Sequence, residues 1–195
     1  AAKTAVENII FSGTDETNID TQIDAYNALS DEAKSVVTRI DTHTYSGSMR
    51  KELSALAEAE GKNLWMSEID GASRAGTNAG EMAAALGFAQ RIINDVNNLR
   101  CSAWIMWNAV DLNVDADNEF DADSMEELKT KLNDAGEIMF DPVNQGYWGL
   151  AVGDHNNEEI VLTKKYEAFG QFSRYIRPGY TIIGSNSSNM LAAYD

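Results

Sequence analysis

Apolar and polar positions alternate along the chain in a pattern that repeats four times. Each repeat begins with a short apolar or β-branched run, continues through a polar turn, and ends in a segment with apolar residues at helical spacing. The runs predict strands at residues 8–12, 35–44, 63–69 and 101–110. Strands that alternate with helices pair in parallel through right-handed crossovers, so the pattern predicts an α/β protein.

The helix-like segments between and after these strands are predicted at residues 21–33, 49–60, 82–99 and 165–176. Gly61 ends the second helix, and Pro178 with Gly179 follows the last. A short helix that opens with a capping box at residues 124–127 and a short strand at residues 147–152 are also predicted. A closed barrel needs eight parallel strands, so the pattern leaves two choices open: an open four-stranded α/β domain or half of a barrel.

Charge narrows the classes of partner. The chain carries 31 acidic against 15 basic residues, a formal net charge of −16. The negative charges of nucleic acid and of anionic membranes would repel a chain of this net charge, so neither is predicted as a partner. No apolar stretch reaches the roughly 20 residues that a membrane-spanning helix needs. The single cysteine, Cys101, lies in an apolar run and is interpreted as a buried hydrophobic residue.

Candidate chemistry collects where the predicted strands end. In α/β folds the carboxyl ends of parallel strands meet at one edge, and functional sites are built there. All four predicted strands end in residues that suit a binding or catalytic site: Asp15 and Glu16, His43 and Tyr45, Glu68, and Trp107 with Asn108.

Glu68 is the strongest candidate among these residues. It follows the apolar residues Leu64–Met66, so a buried strand would anchor its backbone while its side chain reaches the edge. A carboxylate held in this way could attack an anomeric carbon, with a second carboxyl about 5 Å away as acid and base. The alternative is a structural Glu68 that pairs with Arg74 or is solvated in the turn.

The neighbouring candidates are suited to sugar recognition. His43 and Tyr45 lie two positions apart, so on a strand they point to the same side, where both could bind hydroxyl groups. A structural, hydrogen-bonded His43 is the alternative. Trp107 could stack on a sugar ring, whereas packing in the core is favoured for Trp104.

The acidic segment 115–126 has carboxylates at spacings similar to a calcium-binding loop. Phe120 occupies the sixth position, however, where the sharp turn of a calcium-binding loop requires glycine, so a solvated acidic loop is favoured. The chain has only two histidines and no nucleotide-binding motif, so neither a metal nor a cofactor is predicted.

Four motifs together resemble glycoside hydrolase family 30, in particular the branch of endo-β-1,6-galactanases. They are IDTHTYSG (residues 40–47), LWMSEID (64–70), AWIMWN (103–108) and FGQFSRYIRPGYTII (169–183). Their order matches the family's strands six, seven and eight followed by helix eight, and residues 8–16 match strand five. The resemblance covers nearly the whole chain.

The resemblance implies strands five to eight of a (β/α)₈ barrel over residues 1–184 and the start of a β-sandwich over residues 185–195. It implies a retaining hydrolase of β-linked polysaccharide, with Glu68 as nucleophile. His43, Tyr45, Trp107 and Asn108 would then line the substrate site, with Asp15 and Glu16 nearby.

In the family the acid/base glutamate ends strand four, which implies a position upstream of Ala1. Glu16 is a conceivable substitute, although the family does not use strand five in that way. A half barrel would pair with the missing N-terminal half or with a second copy of itself. The family's polysaccharide substrates imply an extracellular or cell-surface location. A non-catalytic carbohydrate-binding or scaffold fragment is the alternative function.

Overall fold

The structure is a computed structural model that describes residues 9–70, 82–114, 149–154, 158–185 and 187–195. The described chain divides into two compact units. The first contains the chain up to Ile69 together with Asn94–Met106, and the second contains Asp70–Ile93 and the chain from Trp107 onward. The predicted acidic loop and the helix at 124–127 lie outside the described residues.

The first unit is built on a four-stranded parallel sheet in the order β1-β2-β3-β4. The strands are β1 (Phe11–Asn18), β2 (Val37–Ser46), β3 (Asn63–Glu68) and β4 (Ala103–Trp104). Each strand pairs with the next one along the chain, as the alternating pattern predicts. The carboxyl ends of all four strands therefore meet at one edge.

Three helices of this unit connect the strands: α1 (Ile19–Asn27), α2 (Asp31–Val36) and α3 (Arg50–Ala59). A fourth, α4 (Met82–Leu99), contributes its C-terminal part. The single helix predicted over residues 21–33 is wrong, because the chain turns after Asn27 and a new helix starts at Asp31. The Ser30 hydroxyl accepts from the Ala33 N–H at 3.2 Å and so caps this second helix.

One face of the sheet is packed against these helices. On β2, the side chains of Ile40, Thr42 and Thr44 are fully buried on this face. Ile19 of α1 and Leu53 of α3 are also fully buried, and α1 packs against β1, β2 and α3. Because side chains alternate along a strand, the other positions of β2, including His43 and Tyr45, lie on the opposite face.

The turn that follows β2 is held by α1. The Asp20 carboxylate accepts from the backbone N–H groups of Ser48 and Met49 at 2.9 Å each. Gly47 has a positive φ of 93° and packs so closely that a Cβ would lie 2.8 Å from Asn18 Oδ1 and 2.9 Å from Asp20 Oδ1. Both the conformation and the close approach require glycine.

We expect Gly47→Ala to lower the free energy of unfolding by about 1–3 kcal/mol, the range for a non-glycine residue held in a strained conformation. Urea denaturation followed by far-UV circular dichroism measures the change. Gly61→Ala is the matched control, since Gly61 also has a positive φ but nothing lies within 4 Å of its Cβ position. Equal losses in the two variants would show that the contacts with Asn18 and Asp20 contribute nothing.

The fourth strand is much shorter than predicted. Residues 101–110 were expected to form one buried strand, but only Ala103–Trp104 pairs with β3. Beyond it, Trp107 and Val110 are each 46% exposed, and Val110 begins a strand in a different sheet. A continuous apolar run does not determine how many of its residues pair in a strand, which explains the error.

The second unit contains a three-stranded sheet of β5 (Val110–Val114), β6 (Ala151–Asp154) and β7 (Glu159–Leu162). Helix α5 (Lys164–Ser173) follows, and Phe169 on it contacts Phe88 of α4 with ring centroids 6.0 Å apart. β8 (Thr181–Ile183) and β9 (Ala192–Tyr194) then form an antiparallel pair. β6 overlaps the end of the strand predicted at 147–152, and the predicted domain boundary after residue 184 stays a prediction.

Among the described helices, none is long and apolar enough to cross a bilayer. The longest, α4, was predicted to bury Met82 and Leu86, but these side chains are 53% and 63% exposed. The rest of the predicted apolar face is largely confirmed, because Ala85, Ile93, Val96 and Leu99 are buried, and Phe88 and Ile92 are buried as well.

Cys101 is buried at the end of α4, as its apolar surroundings predict. Burial raises the pKa of its thiol to about 12, and the negative charge of Asp95 adds to the effect. Because the thiolate is the reactive form, we expect the folded chain to resist alkylation by iodoacetamide at pH 8 and to react after unfolding in urea. Intact mass spectrometry measures both states.

The same pKa shift has a consequence for stability. A thiol with a raised pKa in the folded state contributes stability that is complete below its ordinary pKa and is lost as the pH rises toward about 12. Cys101→Ala is therefore expected to flatten the fall in stability at alkaline pH. Rapid alkylation of the folded chain at pH 8 would contradict a buried, protonated thiol.

Candidate active site

The candidate site lies at the carboxyl edge of the parallel sheet, and an irregular register forms it. Regular pairing along β2 and β3 joins Asp41 to Trp65 and Thr42 to Met66. The register then shifts, so that His43 pairs with Glu68 rather than with Ser67. Strict alternation would put Glu68 on the face of the buried Met66, beneath the helices. The shift brings Glu68 to the face of His43 instead.

Glu68 is held by a hydrogen bond from the adjacent strand. The Tyr45 hydroxyl donates to Glu68 Oε1 at 3.0 Å. The side chain of Glu68 is 36% exposed, so the carboxylate is oriented by a protein donor while it remains open to solvent. A hydrogen bond to a charged group contributes more than a neutral one, about 1.5–3 kcal/mol. The arrangement therefore fixes one oxygen of a solvent-accessible carboxylate.

His43 lies between two carboxylates. Its Nε2 is 3.5 Å from Asp15 Oδ1, and its Nδ1 is 3.7 Å from Glu68 Oε1. The second distance is too long for a hydrogen bond, and within the described ranges His43 Nδ1 is a buried atom with no hydrogen-bond partner. The ring also packs edge-on against Tyr45, with centroids 5.8 Å apart. A small movement of this imidazole would let it donate to Asp15, to Glu68 or to a bound ligand.

Asp15 enters the site because β1 is irregular as well. The register pairs Thr14 with Asp41 and then Glu16 with Thr42, which leaves Asp15 as an extra residue with a φ of 64°. This bulge turns the Asp15 carboxylate toward β3, where the Ser67 hydroxyl donates to Asp15 Oδ1 at 2.5 Å. Ser67 was not among the predicted site residues, although it directly precedes Glu68 at the end of the strand.

Glu16 does not join this group. It pairs with Thr42, whose side chain is fully buried on the helix side of the sheet, and its backbone N–H donates to Gln22 Oε1 at 2.8 Å. The structure thus brings together Asp15, His43, Tyr45 and Glu68 from the predicted set. Asp15 and Glu16 were expected at the end of a strand, but β1 continues through both of them to Asn18.

Trp107 and Asn108 belong to the second unit. Trp107 is 46% exposed. Asn108 accepts through its backbone carbonyl from the Leu150 N–H at 3.1 Å, which joins the start of the second sheet to the segment before β6. Their role in the site stays a prediction.

No family model matches the chain. Endo-beta-1,6-galactanase of Hypocrea rufa is 27% identical over 187 residues, which are 94% of this chain and 30% of that protein. Exo-beta-1,6-galactobiohydrolase of Bifidobacterium longum subsp. longum is 26% identical over 212 residues, covering 97% of this chain and 13% of that protein. The chain spans less than a third of the length of these relatives.

Two solved structures have a similar fold. The catalytic domain of GH30 xylanase C from Talaromyces cellulolyticus has a TM-score of 0.59 at 18% identity, covering 99% of this chain and 35% of that one. A GH30 endoxylanase from Clostridium papyrosolvens C71 has a TM-score of 0.58 at 15% identity, covering 97% and 38%.

These matches agree with the architecture and with the sequence motifs. The parallel sheet with its helices has the fold of part of an α/β-barrel catalytic domain. The named relatives in both comparisons are hydrolases that act on glycosides. The resemblance indicated by the motifs is therefore confirmed: the chain is similar in sequence to two hydrolases of β-1,6-linked galactose units and in fold to catalytic domains of glycoside hydrolase family 30.

Proposed function

We propose that this chain carries the nucleophile of a retaining glycoside hydrolase, and that Glu68 is that nucleophile. The observation that supports the proposal most directly is the hydrogen bond of 3.0 Å from Tyr45 to Glu68 Oε1 at the carboxyl edge of the sheet. Glu68 is there both oriented and accessible, the two properties that a carboxylate needs to attack a sugar.

The reaction would proceed by double displacement. In the first step a carboxylate oxygen of Glu68 attacks the anomeric carbon, the glycosidic bond breaks, and the departing oxygen takes a proton from an acid. In the second step water attacks the same carbon, gives a proton to the conjugate base, and releases Glu68 as a carboxylate. Tyr45 would hold the carboxylate in line for attack, and His43 and Asp15 would bind substrate hydroxyl groups.

The substrate class follows from the relatives. Both sequence relatives are named for action on β-1,6-linked galactose units, so we propose an endo-β-1,6-galactanase-like activity on a β-linked polysaccharide. The sheet would correspond to strands five to eight of the barrel, with the acid/base glutamate supplied upstream of Ala1. Trp107 and Asn108 would contribute to sugar binding, and an extracellular or cell-surface location would follow from a polymeric substrate.

Covalent trapping tests the nucleophile. A 2,4-dinitrophenyl 2-deoxy-2-fluoro-β-galactoside has a leaving group that departs without a proton, so an acid residue is not needed for the first step. The fluorine slows the second step and lets the glycosyl-enzyme accumulate. We expect the intact mass of the chain to increase by one fluorogalactosyl group.

Peptide mapping then assigns the label. Trypsin cleaves after Lys62 and Arg74, so Glu68 lies on a peptide of residues 63–74 that also contains Asp70. Fragment ions should place the label on Glu68. A label on Asp70 or on any other peptide would overturn the assignment. If no label forms but β-1,6-galacto-oligosaccharides bind in calorimetry, the chain is instead a non-catalytic carbohydrate-binding module.

A further inference from the structure

A buried carboxylate lies on the helix side of the sheet, behind the candidate site. Asp95, near the C-terminal end of α4, is fully buried. It accepts three hydrogen bonds from side chains: Arg50 Nε at 2.8 Å to one oxygen, and Thr44 Oγ1 at 3.0 Å and Trp104 Nε1 at 3.1 Å to the other. All of these residues belong to the first unit.

The donors to Asp95 come from both sides of the strand that carries Glu68. Thr44 belongs to β2 and Trp104 to β4, and these are the two neighbours of β3 in the sheet. Trp104 also pairs with Met66, and the following Ile105 N–H donates to the Met66 carbonyl at 2.9 Å. A single carboxylate thus ties together the two strands that flank the last residues of β3.

Asp95 is also connected directly to the residues around Glu68. Thr44 lies between His43 and Tyr45 in β2 and points to the opposite face of the sheet. Its hydrogen bond to Asp95 therefore fixes the backbone from which His43 and Tyr45 project. Arg50 in turn donates to the Gly47 carbonyl at 3.4 Å, so Asp95 also steadies the turn after Tyr45.

Packing alone does not require a charged and fully hydrogen-bonded residue at the position of Asp95. A buried charge is tolerated only when it is well paired and hydrogen-bonded, and an apolar group of similar volume is often as stable at such a place. What a fully satisfied buried polar group adds is a defined geometry, because its partners are fixed in both distance and direction.

We propose that Asp95 is a positioning residue for the Glu68 site, and this proposal rests on the proposed function. Through Thr44 and Trp104 it sets the relative position of the ends of β2 and β4. It thereby sets the distance from Tyr45 to Glu68 and the place of the His43 ring between Glu68 and Asp15. It touches neither the substrate nor the nucleophile.

The test compares labelling rates with the fluorogalactoside. Asp95→Asn keeps the size of the side chain but loses its charge and places an amide donor among three donors. We expect the rate constant for labelling at saturating glycoside to fall about 10- to 100-fold, since small misplacements of reacting groups have effects of this size. Thr44→Val, which removes one donor, should slow labelling, and Thr44→Ser, which keeps it, should restore the rate.

A destabilised variant separates positioning from general loss of stability. Tyr26 is fully buried on α1 and donates to Glu60, which precedes β3 and so lies at the opposite end of the sheet. Tyr26→Ala should lower the melting temperature without slowing labelling, measured well below the transition. If Asp95→Asn and Thr44→Val label at the wild-type rate, or if Tyr26→Ala slows as much, the proposal is overturned.

A second measurement does not depend on activity. His43 and His155 are the only histidines of the chain, so their ring signals can be assigned in a proton–carbon NMR spectrum with the help of His155→Gln. We expect the His43 ring signals to shift in Asp95→Asn and not in Tyr26→Ala. Absence of labelling in the wild type would overturn the proposed function. Unchanged His43 signals in Asp95→Asn would overturn the positioning role alone.

Discussion

The Glu68→Gln chain is expected to lose essentially all turnover of 2,4-dinitrophenyl β-galactoside. The amide keeps the shape of the carboxylate but is a very poor nucleophile, so the first displacement has no partner. Removal of the nucleophile in an enzyme of covalent mechanism lowers kcat by about 10⁶-fold in the best-studied case, and we expect at least about 10⁴-fold here. Release of dinitrophenolate, followed by its absorbance, measures the rate.

Two further variants make this result specific. Glu16→Gln removes a carboxylate from the opposite face of the same sheet and should leave the rate within about threefold of wild type, as expected of a group that contacts no reacting atom. Glu68→Gly opens a space that azide fills, so that azide attacks the anomeric carbon from the side that Glu68 occupied. We expect azide to restore dinitrophenolate release and to give the α-galactosyl azide. Turnover in Glu68→Gln equal to wild type would exclude Glu68 as nucleophile.

Replacement of Asp95 by Ala is expected to have the largest effect on stability. It leaves the Arg50 guanidinium largely buried without its carboxylate, and it removes the acceptor of Thr44 and Trp104. Removal of one partner from a buried ion pair lowers the free energy of unfolding by about 3–5 kcal/mol. Urea denaturation of the chain measures this loss.

A double-mutant cycle distinguishes the ion pair from simple loss of volume. Arg50→Met alone leaves the Asp95 charge buried and should also be strongly destabilising. The double variant Arg50→Met/Asp95→Ala removes both charges, so its loss should be smaller than the sum of the single losses by about 1–3 kcal/mol. Strict additivity would mean that the two side chains do not interact in the folded chain.

The sequence predicts the order of the four strands and the bounds of several elements because these signals are local, although β1 was predicted at residues 8–12 and spans Phe11–Asn18. Helices α3 and α4 begin and end within a residue or two of the predicted positions, and β3 has the predicted start. The spacing of apolar residues predicts where these elements lie, and Gly61 predicts where α3 ends. The extent of β4 could not be predicted, since the residues that end it are as apolar as those within it.

Several residues at the carboxyl edge of the sheet could be chosen from the sequence, but their arrangement could not, and their role in a site stays a prediction. His43, Tyr45 and Glu68 could be chosen because functional side chains follow strands. That Glu68 lies opposite His43 depends on a register shift between β2 and β3, and that Asp15 rather than Glu16 faces Ser67 depends on the bulge in β1. Both are properties of strand pairs, which no single segment encodes. Asp95 was missed for the same reason, because its donors lie far apart in the chain.

The extra residues in β1 and β3, at the two register shifts, also separate two sets of positions that a regular sheet would couple. Before each shift the pairing is regular, so each side chain on the open face of the sheet has, as its neighbour along the strand, a side chain packed against the helices. Beyond each shift this regular matching between neighbouring strands ends, so we expect residues at the edge to change without a compensating change in the buried layer. Directed evolution of this edge for new sugars should therefore tolerate substitutions at positions 15, 43 and 45 with little loss of yield. Positions 13 and 41, which precede the shifts in the same two strands, should tolerate few.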